Sequence, residues 1–162
     1  MKGIIANLHR SIEESRQTIV ALHDQAESIA RIGNAMVRTL RRGGKVLTAS
    51  NGGSEAEALH LAEELIGRFH SNRPALAAVA LVADSTALTC IGNDFGFDHI
   101  FARQIAGLGC QGDMLVLFST SGRAQNLRLA LQTAQARRLS TVCFLGSGGG
   151  ALKDKADRKS VV

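Results

Sequence analysis

The sequence predicts an α/β protein, a doubly wound parallel sheet preceded by an N-terminal helical hairpin. Three observations carry that expectation. After Gly44, short runs that are apolar on both faces recur, as strands covered on both sides of a sheet must be. Helical stretches alternate with these runs, which is how parallel strands are connected. The glycine-rich and hydroxyl-rich segments fall just after the runs, at the carboxyl edge where open α/β sheets bind ligands.

The hairpin covers residues 1–43. Ile4, Leu8, Ile12, Ile19 and Leu22, then Ile29, Ile32, Met36 and Leu40, fall at helical spacing, and Gly43-Gly44 supplies a C-terminal stop. Two helices are expected, breaking near Asp24 to Ala26. Their apolar stripe is in excess of what a sheet domain with its own helices needs, so it calls for a partner subunit.

The sheet core spans 44–162. Strands are expected at Val46–Ala49, Leu76–Val82, Met114–Phe118 and Thr141–Leu145, with helices around Glu55–Phe69, Thr86–Ile91, His99–Leu108 and Leu127–Arg137. No internal repeat or linker interrupts the pattern, and 162 residues suffice for one domain with a sizeable core.

Composition narrows the function classes. With 45% apolar residues, 20% charged residues and one proline, the chain reads as globular and not as disordered. No apolar run reaches the roughly 18 residues of a membrane helix, and Met1-Lys2-Gly3 does not open a signal peptide, so a cytoplasmic protein without a membrane partner is expected. Cys90, Cys110 and Cys143 lack C-x-x-C spacing and read as buried, unpaired thiols. The formal charge is +5. Its basic residues are scattered, and there is no tryptophan or tyrosine to stack on bases, which argues against nucleic acid and for an anionic substrate.

Two loops look built for such a substrate. Ser50-Asn51-Gly52-Gly53-Ser54 joins a strand to a helix, where glycines let the backbone approach an anion and free N–H groups point at it. Ser119-Thr120-Ser121-Gly122 repeats the arrangement with three hydroxyls. The plain alternative is that one serine caps the following helix and the others are solvated. Neither loop has Walker A or G-x-G-x-x-G spacing, which disfavours nucleotides.

On the helix after Ser54, Glu57, His60, Glu64 and Arg68 form a polar stripe, while Leu61, Ala62, Leu65, Ile66 and Phe69 form the apolar side. The stripe reads either as a solvated face or as a carboxylate base with a histidine beside it. His60 and Glu64 can also share a metal, although zinc sites ordinarily use three or four protein ligands. Asn93-Asp94 reads as a turn or as a pair directed at sugar hydroxyls.

These segments resemble the sugar isomerase (SIS) domain family, whose fold is flavodoxin-like, and within it the phosphoheptose isomerases. The resemblance rests on Ser50–Ser54, His60–Phe69, Asn72-Arg73-Pro74, Ala87-Leu88-Thr89, Ile91–Phe97, Phe101–Gln104 and Ser119–Gly122, in order along nearly the whole chain. It implies a homotetramer with sites at subunit interfaces. The implied reaction converts sedoheptulose 7-phosphate to D-glycero-D-manno-heptose 7-phosphate for bacterial surface-heptose synthesis. By resemblance Asn51, Gly52, Gly53 and Ser54 contact substrate, as do Asn93 and Asp94. Ser119, Thr120 and Ser121 hold the phosphate, and His60 and Glu64 bind zinc. Glu64 is also the catalytic base of an enediol proton transfer.

Three departures from the family pattern stand out. Ser50 replaces a usual glycine, and Ala124 replaces a usual serine near the phosphate. The resemblance also implies a further strand and a long C-terminal helix, whose Gln and His complete the metal site. Lys159–Val162 reads as the start of that strand, so the 162 residues are expected to carry a partial zinc site and reduced turnover. Two other functions stay open: a non-catalytic SIS protein that binds the replication initiator, and a sugar-phosphate-sensing module.

Overall fold

A computed structural model describes residues 1–161, leaving aside the Lys2 side chain. Its elements are helix α1 (Lys2–Arg41), strand β1 (Val46–Ala49), helix α2 (Glu55–Ile66), strand β2 (Ala78–Ala80), helix α3 (Ser85–Phe95), helix α4 (Ala102–Leu108), strand β3 (Met114–Ser119), helix α5 (Gln125–Ala136), strand β4 (Ser140–Leu145) and strand β5 (Arg158–Val161). All strand pairs are parallel, in the order β2-β1-β3-β4-β5. That order is the flavodoxin-like form of the doubly wound fold. The strand expected at the end of the sequence forms as β5 and pairs Val142 with Arg158 through Leu145 with Val161; Val162 lies outside the described residues.

Each strand divides its side chains between two cores, because neighbouring residues point to opposite faces. Leu47, Ala49, Leu115, Leu117, Cys143 and Leu145 face one way, where Ile105 of α4 and Leu127 and Leu131 of α5 cover them. Leu88 and Ile91 of α3 pack against the same core. Val46, Met114, Val116 and Val142 face the other way, toward Ile32 and Ala35 of α1 and Ala62 of α2. Burial of these large aliphatic side chains stabilises the fold by roughly 1.5–3 kcal/mol each.

The N-terminal hairpin is corrected to one helix: α1 runs unbroken for 40 residues, or about 60 Å at 1.5 Å per residue. Nothing at Asp24-Gln25-Ala26 breaks a helix, since the segment holds neither glycine nor proline and Ala26 is a strong helix former. Only the C-terminal half of α1 packs on the sheet, through Ile32, Ala35, Met36 and Leu40. Ile4, Leu8, Ile12 and Ile19 in the other half are exposed. α1 ends at Arg41, just before the expected stop at Gly43, which takes the left-handed conformation at φ 79°.

Smaller differences concern element ends, among them β2, which is confined to Ala78–Ala80, and the cysteines. α2 stops at Ile66, short of the expected Phe69, where the Arg73 guanidinium donates to the carbonyls of Glu64 and Leu65. A cation on the last carbonyls of a helix satisfies them and favours the helix dipole. Of the three free cysteines only Cys143 is buried, its thiol pushed up to about 12 by desolvation; Cys90 and Cys110 are exposed, against expectation.

Candidate active site

The two loops singled out in the sequence meet at the carboxyl edge of the sheet because β1 and β3 are direct neighbours. Ser50, Asn51 and Ser54 from the first loop, and Ser119, Thr120, Ser121 and Ala124 from the second, line one cavity of about 110 Å³. Gly52 opens the first loop at φ 57°, a conformation glycine adopts without steric cost.

Among the described residues no hydroxyl of Ser119–Ser121 caps α5. The N-cap of α5 is Ala124, which makes no side-chain cap, so the first amides of α5 have no capping oxygen. Ser119 Oγ instead accepts from the Gly122 N–H at 3.0 Å, and Ser121 Oγ accepts from the Arg123 N–H at 3.4 Å. With its oxygen accepting from the backbone, each hydroxyl keeps its proton available to donate. The glycine run after β4 supports the loop from below. A Cβ on Gly122 would lie 2.0 Å from the Gly149 carbonyl oxygen, so only glycine permits this approach.

Two residues pin the loops together, and one of them is not evident in the sequence. Asn51 and Asn126 exchange reciprocal side-chain amide bonds, each 2.8 Å long. Asn126 lies in the first turn of α5 and is buried. An asparagine in a helix's first turn is the sole local hint, and it does not reveal a partner 75 positions away. Ser50, at the usual glycine position, donates to the Phe118 carbonyl at 2.8 Å and ties the end of β1 to β3.

His60 and Glu64 line a second cavity of about 630 Å³ between α1 and α2, together with Leu61, Leu65 and Phe69. The polar stripe and apolar side of α2 thus converge on one groove. Thr48 and Ala58 hold α2 in place: the threonine hydroxyl donates to the Ala58 carbonyl at 2.7 Å, and the small side chain lets the helix approach the sheet. Phe118 lines both cavities, stacked on Phe144 at 5.3 Å between ring centroids.

His60 Nε2 lies 3.3 Å from Glu64 Oε1. Glu63, which the sequence reading passed over, brings a carboxylate to the same place, and one donor atom from each of His60, Glu63 and Glu64 lies within 4.8 Å of the others. Its position three residues after His60 was the available signal. Glu64 Oε2 is buried with no hydrogen-bond partner among the described residues. A buried carboxylate oxygen without a partner is costly unless something outside the chain satisfies it.

Asn93 and Asp94 are not brought to either cavity. They lie in the last turn of α3, exposed, with Asn93 Nδ2 donating to Asp94 Oδ1 at 2.8 Å. Near them a third cavity of about 520 Å³ is lined by Thr89 and Gly92 of α3 and by Asn51 and Gly52.

Known proteins match both sequence and fold. The pattern of the SIS domain matches residues 10–146. A phosphoheptose isomerase of Bradyrhizobium sp. is 45% identical over 153 residues, covering 94% of this chain and 75% of that protein. The structure of a phosphoheptose isomerase from Francisella tularensis superposes with a TM-score of 0.94 at 34% identity, over 98% of this chain and 85% of the other. One from Neisseria gonorrhoeae gives 0.83 at 36% identity, over 99% and 84%. Sequence, sheet order and loop chemistry agree, and the chain belongs to the SIS domain family, alongside its phosphoheptose isomerases.

Proposed function

We propose that this chain is a phosphoheptose isomerase that interconverts sedoheptulose 7-phosphate and D-glycero-D-manno-heptose 7-phosphate, as a cytoplasmic homotetramer. The observation that carries the reading is the meeting of Ser50–Ser54 with Ser119–Ser121 around one cavity, which shares Phe118 with the cavity that Glu64 lines. The hydroxyls of Ser119, Thr120 and Ser121 and the uncapped amides of α5 hold the phosphate. From the other loop Ser54 lines the cavity, Gly52 and Gly53 offer backbone to the substrate, and Asn51 fixes the distance between the two loops through Asn126. Asn93 and Asp94 serve the substrate's hydroxyls beside the third cavity.

Aldose–ketose interconversion needs one base that reaches two adjacent carbons. The Glu64 carboxylate takes a proton from the first carbon of the ketose and returns it to the second, while the hydroxyl proton passes from the first oxygen to the second. Atoms balance without an external reductant or oxidant. Zinc fits the donor set, because the orphaned Glu64 oxygen and the adjacent His60 and Glu63 atoms are the ligand types it takes. His60, Glu64 and Glu63 would hold the ion, which when bound polarises the sugar carbonyl.

The test is an isomerase assay on sedoheptulose 7-phosphate with a parallel calorimetric titration. Glu64→Gln abolishes turnover and retains binding, because it removes the base and keeps its shape. Ser119→Ala combined with Ser121→Ala weakens sugar-phosphate binding by about 1–3 kcal/mol, through lost hydrogen bonds to a charged group. Turnover retained in Glu64→Gln overturns the assignment of the base, and unchanged affinity in the double variant overturns the phosphate site.

A further inference from the structure

At the opposite edge of the sheet, the amino ends of the strands border a cleft of about 650 Å³ that the isomerase reading leaves unused. Arg38 and Arg42 reach it from the end of α1, Lys45 from the entry to β1, Arg138 from the turn between α5 and β4, and Arg158 from the start of β5. Asp113, the acidic residue among them, is already paired with Lys45. Arg158 donates to Ser140 Oγ at 3.1 Å. Arg38, Arg42 and Arg138 are exposed and enter none of the ion pairs among the described residues.

The α1 dipole explains cations at Arg38 and Arg42, but not their meeting with two arginines from remote parts of the chain. Arg138 adds a separate observation. It sits at φ 62°, just past the end of α5, where glycine or asparagine is the unstrained choice. A bulky side chain held in a disfavoured conformation beside a cleft points to a use for that side chain.

We propose that this cleft is a second anion site, distinct from the loops at the carboxyl edge, for a small molecule bearing a diphosphate or two adjacent phosphates. Guanidinium groups suit phosphate because their planar forks donate in pairs. At about 650 Å³ the cleft has room for more than one phosphate, and its cations come from separate segments of the chain, which favours two charged groups over one. No aromatic ring lines it, so a nucleotide base has no stacking platform there.

The test titrates inorganic pyrophosphate, and separately inorganic phosphate, into the Ser119→Ala/Ser121→Ala chain at about 0.15 M salt, so that screened surface charge contributes little. The expected result is saturable binding of one pyrophosphate per chain, tighter than phosphate, and weakened tenfold or more by Arg138→Gly and by Arg38→Gln. Arg138→Gly removes the guanidinium and the backbone strain together, so its melting temperature is expected to hold or rise. If that variant loses stability instead, Arg38→Gln on its exposed helix face decides alone. Absence of saturable binding, or equal affinity in both arginine variants, overturns the proposal.

Discussion

Ala124 shows how much one side chain controls at the candidate phosphate site. It is the N-cap of α5 and also lines the cavity between the loops, so a hydroxyl there would act twice. Ala124→Ser is expected to stabilise the protein by about 0.5–2 kcal/mol through capping. It should also tighten sugar-phosphate binding, and thermal unfolding with a calorimetric titration checks the two effects separately. Asp113 is the counterpart at the other edge of the sheet. Burial raises its carboxyl, but hydrogen bonds from the Lys45 ammonium and from the Lys45 and Cys110 amides outweigh that and leave it below its ordinary value of 3.8. A depressed carboxyl contributes stability that is fully present above the unfolded value and is lost as pH falls through the lower folded one. Acid unfolding of the parent should therefore steepen below pH 3.8, and Asp113→Asn, already destabilised at neutral pH, should lack that component. Equal acid sensitivity in both proteins would remove Asp113 from the account.

Helix α1 raises a different question at the level of elements. Its C-terminal half is anchored in the core, while Ile4, Leu8, Ile12 and Ile19 stay in water over the other half. An exposed apolar stripe of such length calls for a partner. The resemblance and the stripe both lead to self-association. Light scattering at micromolar concentration should give a mass well above the 17.1 kDa of one chain, four copies being the expectation. Ile12→Asp with Ile19→Asp should shift the mass toward the monomer while leaving the sheet domain folded. A parent of 17.1 kDa in that experiment would sink the idea.

The whole molecule separates its chemistry by sheet edge. The loops lie at the carboxyl side, the His60–Glu64 cluster lies between α1 and α2 on one face, and the arginine-lined cleft lies at the amino side. Among the described residues no helix is long and apolar enough to cross a membrane. A ligand that binds only the folded state raises its stability, by about 2.7 kcal/mol at a hundredfold excess over Kd. Zinc should therefore raise the melting temperature of the parent, and His60→Ala should lose most of that rise without unfolding, since the His60 side chain is largely exposed. An equal rise in both proteins would place the metal elsewhere.

Much of this was legible in the sequence, because it is local. Runs of strand length, the glycine and serine segments after them, and the four-residue spacing of His60 and Glu64 are each set within a few positions. These determined the fold class, both loops and the family resemblance. Helix ends were less legible, since the end of α2 depends on Arg73 folding back onto it. Whether α1 breaks was misjudged because exposure of half its stripe removes the packing that a hairpin would have answered. Only the tertiary structure decided that Asn51 meets Asn126, that Phe118 lines two cavities, and that Arg38, Arg42, Arg138 and Arg158 share one cleft. Those juxtapositions follow from the strand order β2-β1-β3-β4-β5, and periodicity along the chain reports which face a residue takes, not which strand lies beside it.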